Sequence, residues 1–170
     1  STPIKSSAAS DVYKRQGKTF IMFSDDMDKA LATFVLANGA AATGQKVTIF
    51  FTFWGLNVIK KLHKPKTEKD IFGKMFGMML PSSSGKLKLS KMSMGGIGGK
   101  MMRYIMNKKG IDSLESLRQQ ALENGVEFIA CQMSMDVMGV KQEELLDEVT
   151  VGGVATYMER ADNANVNLFI

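Results

Sequence analysis

The single cysteine of this chain, Cys131, is its first candidate for chemistry. It closes the run Gly125-Val126-Glu127-Phe128-Ile129-Ala130-Cys131-Gln132, in which β-prone or small residues lie between a glycine and a polar tail. Such a run reads as a buried parallel strand that delivers the thiol to its carboxyl end. In open α/β sheets that edge collects ligands and chemistry, because strand ends and the helix N-termini facing them leave a crevice there. A thiol so placed is a nucleophile if it is accessible and ionised, and a small packing hydrophobe if it is not. Position alone leaves both readings open. One cysteine forms no internal bridge, which fits a reducing compartment or a thiol kept free, and a cytoplasmic protein is expected.

Other chemistry-bearing residues are sparse. Asp25, Asp26 and Asp28 follow the first apolar run and place carboxylates where a flavin phosphate would need open backbone donors. Acids there suit a helix N-terminus. An acidic pair after strand one also occurs in response-regulator receivers, but Cys131 stands where their phosphoacceptor aspartate would be. Gly95-Gly96-Ile97-Gly98-Gly99-Lys100-Met101 lacks the first glycine and the final Ser or Thr of a phosphate loop, with Met94 and Met101 in those places. Gly17-Lys18-Thr19 fails likewise, since Val12 replaces the first glycine. His63 and Cys131 have no second nitrogen or sulfur ligand of their kind, so neither a metal nor a cofactor is expected. His63 reads as a solvated surface residue.

The elements that would position these groups follow from periodicity. Lys18 to Phe23 is a strand, and Ser24-Asp25-Asp26 offers an N-cap to a helix with apolar positions Met27, Leu31, Phe34 and Val35, closed by Gly44. Val47 to Phe51 is the second strand, followed by Thr52-Phe53-Trp54-Gly55-Leu56 and a short helix to about His63, which Pro65 stops. This βαβα opening predicts a parallel sheet with right-handed crossovers. Asp112-Ser113-Leu114-Glu115 reads as an acidic N-cap to a helix with the stripe Leu114, Leu117, Ala121 and Leu122. After the Cys131 strand, the pattern predicts a loop over 132–139, a short helix over 142–148, a strand over 149–151, a helix over 155–164 and a fifth strand over 166–169. The expected fold is three-layer α/β/α around five parallel strands.

The regularity breaks over 66–110, an insertion with two Met-rich amphipathic segments around a glycine-rich centre. Eight of the 14 methionines lie between Met75 and Met106. Between Asn57 and Lys109 stand 13 Lys or Arg against Glu68 and Asp70; that balance of +11 within a total of +5 leaves −6 for the remainder. Lysine beside methionine suits an adaptable docking surface, with Lys74, Lys100, Arg103, Lys108 and Lys109 as its cations; the competing reading is a plain lid over the chain's own site. Nucleic acid is disfavoured, because Phe72, Phe76 and Tyr104 form no evident stacking platform. An acidic protein surface is favoured over peripheral contact with an anionic membrane. Apolar runs fall far short of the roughly 18 residues that a bilayer span needs. Residues 1–16 show no periodicity, and 7–16 resemble translated sequencing adaptor, so 1–16 are expected to be a dispensable non-native leader before one domain over 17–170.

Three blocks occur in order: Phe50-Phe51-Thr52-Phe53-Trp54-Gly55-Leu56, Gly99-Lys100-Met101-Met102, and Cys131-Gln132-Met133-Ser134-Met135-Asp136. With them, the chain from about Lys18 onward resembles the DsrE/DsrF/DsrH-like superfamily, in particular its second DsrE-like subfamily. That resemblance implies a small α/β/α protein that holds sulfane sulfur as a persulfide on Cys131 and passes it on, with sulfurtransferase-like activity. Asp25, Asp26, Trp54, Ser134 and Asp136 are the expected neighbours along the strand ends. The implied partner is a sulfur-relay protein such as a rhodanese or a disulfide reductase, with a homo-oligomer also in view. A peroxiredoxin reading has no support, since Phe128 stands where the peroxidatic threonine would be. The opposing readings are a noncatalytic adaptor that docks through the insertion and a small-ligand-binding domain.

Overall fold

In a computed structural model, residues 17–63 and 67–170 are described; the leader, Pro65 as a helix stop and the first residue of the insertion lie outside the described residues. The chain forms β1 (Gly17–Met22), α1 (Met27–Ala42), β2 (Val47–Phe51), a 3-10 turn (Phe53–Ile59), α2 (Ile71–Met79), α3 (Ile97–Lys108), α4 (Leu114–Glu123), β3 (Glu127–Cys131), α5 (Gln132–Met138), β4 (Thr150–Gly152), α6 (Val154–Asp162) and β5 (Ala164–Phe169), with further single 3-10 turns. The strands pair in parallel in the order β4-β3-β2-β1-β5. This is the expected five-stranded parallel sheet with flanking helices.

The two faces of the sheet are covered unequally. Because side chains alternate along a strand, Phe20, Met22, Val47, Ile49, Phe51, Phe128 and Ala130 share one face and join Met27, Ala30, Phe34, Leu114 and Ala121 in the main core. There α1 and α4 pack together, and the rings of Phe34, Phe51 and Phe128 meet at centroid distances of 5.3 to 6.5 Å. The opposite face holds a far smaller cluster of Phe50, Ile129, Cys131 and Tyr157, the last supplied by α6.

Several local expectations give way to tertiary demands. Val35 is exposed, and the buried face of α1 runs through Met27, Ala30, Thr33, Phe34 and Ala37 instead. The helix predicted to reach His63 is a 3-10 turn that ends at Ile59, because Lys60 is drawn out into an antiparallel bridge with Leu145. The same bridge, with Lys61 N–H donating to Glu144 O and Leu146 N–H to Ile59 O, cuts the predicted 142–148 helix to one turn, Gln142–Glu144. The N-cap of α4 is Ser113, not Asp112; its hydroxyl accepts from Ser116 N–H. The loop expected over 132–139 is α5: Ser134, Met135 and Met138 turn inward at helical spacing, and Gly139 ends the helix in a left-handed conformation.

Close backbone approaches at Gly55 and Gly139 need glycine. A Cβ on Gly55 would lie 1.9 Å from Met22 O, so only glycine lets the turn after β2 close against the end of β1. A Cβ on Gly139, itself at φ +61°, would lie 2.4 Å from Gly73 Cα, and this contact seats α2 on α5. The insertion is otherwise stitched into the domain: Leu87 and Leu89 enter the main core, Lys88 O accepts from Met27 N–H, and buried Lys60 donates to Pro81 O. Lys69 and Glu144 form a buried ion pair at 2.5 Å.

Candidate functional site

Cys131 ends β3 and is the N-cap residue of α5, at the carboxyl edge where all five strands finish. Glu127, Ile129 and Cys131 alternate onto the face beneath α6, so the thiol packs with Phe50, Ile129 and Tyr157, and Ile21 and Ala161 flank them. It is 2% exposed. The covering residues come from α6, and none of this packing cluster comes from the insertion.

The other expected site residues reach the same edge but make separate contacts. Asp25 accepts a 2.9 Å hydrogen bond from Asn57 Nδ2. Burial pushes its carboxyl above the usual range; the Asn57 bond opposes that shift, nearby Asp26 adds to it and Lys60 works against it. Asn57 is wholly buried. Asp26 holds the N-cap position of α1 without a side-chain cap bond, and is instead bonded by Ser24 Oγ at 2.7 Å and paired with Lys29 at 2.9 Å. Ser134 is buried, its hydroxyl 2.8 Å from that of Thr52. Asp136 is exposed and accepts from Gln132 Nε2. Trp54 is exposed on the 3-10 turn, beside a row of rings in which Phe23 meets Phe53 at 5.5 Å and Phe169 at 5.6 Å. Phe53 adopts φ +46°, a strained value for an aromatic residue, at the first position of that turn.

The basic surface divides in two. Lys74, Lys100, Lys108 and Lys109 are exposed, whereas Arg103 is partly buried and committed within the chain, 3.4 Å from Glu115 and donating to Ser84 O at 3.2 Å. The outer side of α3 presents Ile97, Met101, Tyr104 and Ile105 among those lysines. His63 is exposed, and among the described residues no group of three or more His, Cys, Asp or Glu side chains is arranged to hold a metal.

Three residues that shape the edge escape sequence reading. Asn57 binds Asp25; Arg118, buried, donates to the carbonyls of Val58 at 2.7 Å and Lys60 at 3.3 Å; Tyr157 packs in the buried cluster of Cys131. An arginine on the apolar side of a helix, one residue after Leu117, is the one signal of the three that the pattern carries.

Comparison with known proteins gives these features a family. The model of the DsrE/DsrF/DrsH-like family matches residues 15–169. The chain belongs to that family. Within it, the chain is 45% identical over 152 residues to the uncharacterized protein YrkE of Bacillus subtilis (strain 168), covering 89% of this chain and 95% of that protein. It is 38% identical over 148 residues to the sulfur carrier protein DsrE2 of Allochromatium vinosum, covering 85% and 91%. The crystal structure of the ychN protein from E. coli superposes with a TM-score of 0.57 at 10% identity, covering 91% of this chain and 99% of that one, which shows a shared fold. Among the described residues no helix is long and apolar enough to cross a membrane.

Proposed function

We propose that this protein is a cytoplasmic sulfur carrier that holds sulfane sulfur as a persulfide on Cys131 and hands it to a relay partner. The observation that carries this reading is the sole cysteine at the end of β3, on the edge where parallel α/β sheets do chemistry, in a chain 38% identical to a sulfur carrier. In loading, the Cys131 thiolate attacks the terminal sulfur of a donor persulfide, the donor's own S–S bond breaks, and the donor leaves as thiolate. Cys131 then bears the S–SH group. In unloading, an acceptor thiolate attacks the outer sulfur and the Cys131 thiolate leaves. Each step exchanges one S–S bond for another, so no external oxidant or reductant is consumed. A lone thiol suits this exchange and lacks the second thiol that an internal disulfide cycle would need.

Incubation with polysulfide, or with thiosulfate and a rhodanese, followed by intact mass measurement, should show one added sulfur that dithiothreitol removes. Cys131→Ser should gain none. An equal gain on Cys131→Ser, or none on native protein under conditions that label its thiol, would overturn the carrier reading.

A second reading, an adaptor that docks through the insertion with Cys131 merely packed, draws on the burial of the thiol and on the apolar, lysine-flanked outer side of α3. Partner capture that survives Cys131→Ser, together with absence of sulfur loading, would favour it.

A further inference from the structure

Loading at Cys131 meets an obstacle in the fold, since the residue is 2% exposed and is buried in one cluster with Tyr157 of α6, itself 7% exposed. We propose that α6 is a hinged cover over Cys131, shut by Tyr157, and that sulfur enters and leaves only when α6 lifts from the sheet. The cover rests on the reading of Cys131 as the carrier residue, but its opening is measurable without any sulfur chemistry.

Four features make α6 a cover and not a fixed wall. It is a nine-residue helix in which Tyr157 alone is buried, whereas the opposite face is sealed by α1 and α4 over the whole main core. Its ties to the sheet are weak. The Tyr157 hydroxyl stands 3.3 Å from Thr19 Oγ1, long for an O–H···O bond, and the Arg160–Glu127 pair, at 2.9 and 3.1 Å, is about one-third exposed and therefore screened by solvent. It enters from Gly152-Gly153: Gly152 lies opposite Cys131 in the β3–β4 register and packs closely on Ile129, whereas Gly153, the N-cap, has open space around it and supplies the hinge. Finally, among the described residues, three surface cavities of about 440 to 730 Å³, between α1, α3 and α4, at the amino edge of the sheet, and beside α5, are lined without Cys131.

The added atom supplies the driving force. An outer sulfur sits about 2.05 Å beyond the cysteine sulfur, and it must fit into a buried cluster that already holds the Phe50–Tyr157 pair, with centroids 5.2 Å apart. Overpacking of this kind is relieved by moving the most weakly held wall. The persulfide thus favours the open position over the closed one, which is the differential interaction that a conformational shift requires. An empty carrier is mostly shut and loads during brief openings, and a loaded one is displaced toward the open position.

The test is the rate at which N-ethylmaleimide labels the full chain in native buffer, followed across low urea. Labelling of the native protein should run at least about 10-fold slower than in full denaturant, with a urea dependence well below that of global unfolding, the signature of local opening. Tyr157→Ala should speed labelling about 10-fold or more. Because that change also removes packing, Glu127→Gln and Thr19→Val serve as milder arms that each weaken one tie of α6, along with the Thr48 and Asn167 bonds of the same side chains, and both should speed labelling several-fold while the urea midpoint moves little. Native labelling as fast as in denaturant, a urea dependence equal to that of global unfolding, or indifference to the Glu127 and Thr19 changes would overturn the cover. Slow, variant-sensitive labelling without sulfur uptake would sink the carrier reading alone, and sulfur uptake with fast labelling throughout would sink the cover alone.

Discussion

At the scale of single residues, the edge of the sheet sets two acidic neighbours apart. Asp25 and Asp26 are adjacent in sequence and both partly buried, yet only Asp25 accepts from a wholly buried partner, Asn57. A carboxyl raised above its ordinary value of 3.8 favours the fold when protonated; that contribution is complete in acid and is lost as pH rises through the folded-state value. Asp25→Asn keeps an oxygen to accept from Asn57 and removes the buried charge. Its thermal midpoint should therefore exceed that of the native chain at pH 7, and the gap should close toward pH 4 in a melting series; a lower midpoint at pH 7 would contradict the burial argument. Cys131 at a strand end was legible in the sequence because an apolar run with a polar stop has one reading in a parallel sheet. Asn57 and Tyr157 were not, since each meets its partner through strand register and helix placement, which local periodicity does not encode.

At the scale of elements, β1, β2 and β3 were legible within a residue because largely buried strands make short apolar runs. The helix α5 was hidden because its inward residues, Ser134, Met135 and Met138, alternate with Met133, Val137 and polar residues, so the segment looks evenly mixed. The bridge between Lys60 and Leu145 shows the opposite failure, in which favourable helix sequence on both sides yields to a tertiary pairing. The seat of α2 on α5 depends on Gly73 meeting Gly139. Gly139→Ala combines a left-handed backbone with a 2.4 Å clash, and should cost about 2 kcal/mol in urea unfolding. Proteolysis within 67–80 should become faster as α2 loses its seat; an unchanged midpoint and cleavage pattern would show that the contact gives way freely.

At the scale of the whole molecule, the charge asymmetry seen in composition survives folding as a surface of exposed lysines and methionines, with Met78 87% exposed. If that surface receives an acidic relay partner, replacing Lys74, Lys100, Lys108 and Lys109 together by glutamine should weaken partner capture at least about 10-fold at low salt, flatten its salt dependence and leave the melting temperature near native. Cosedimentation with anionic vesicles that the same changes abolish would point to a bilayer instead. The strand order carries one more consequence, for the birth of the protein. β1 lies between β2, some 25 residues on, and β5, about 140 residues on. During synthesis β1 can dock against β2 early, but its other side stays an open ladder of unpaired N–H and C=O groups until nearly the whole chain has emerged from the ribosome. The nascent chain thus carries a sticky edge bearing Phe20, Ile21 and Met22 for most of its elongation, and its yield in the cell should depend on the chaperones that shield such edges.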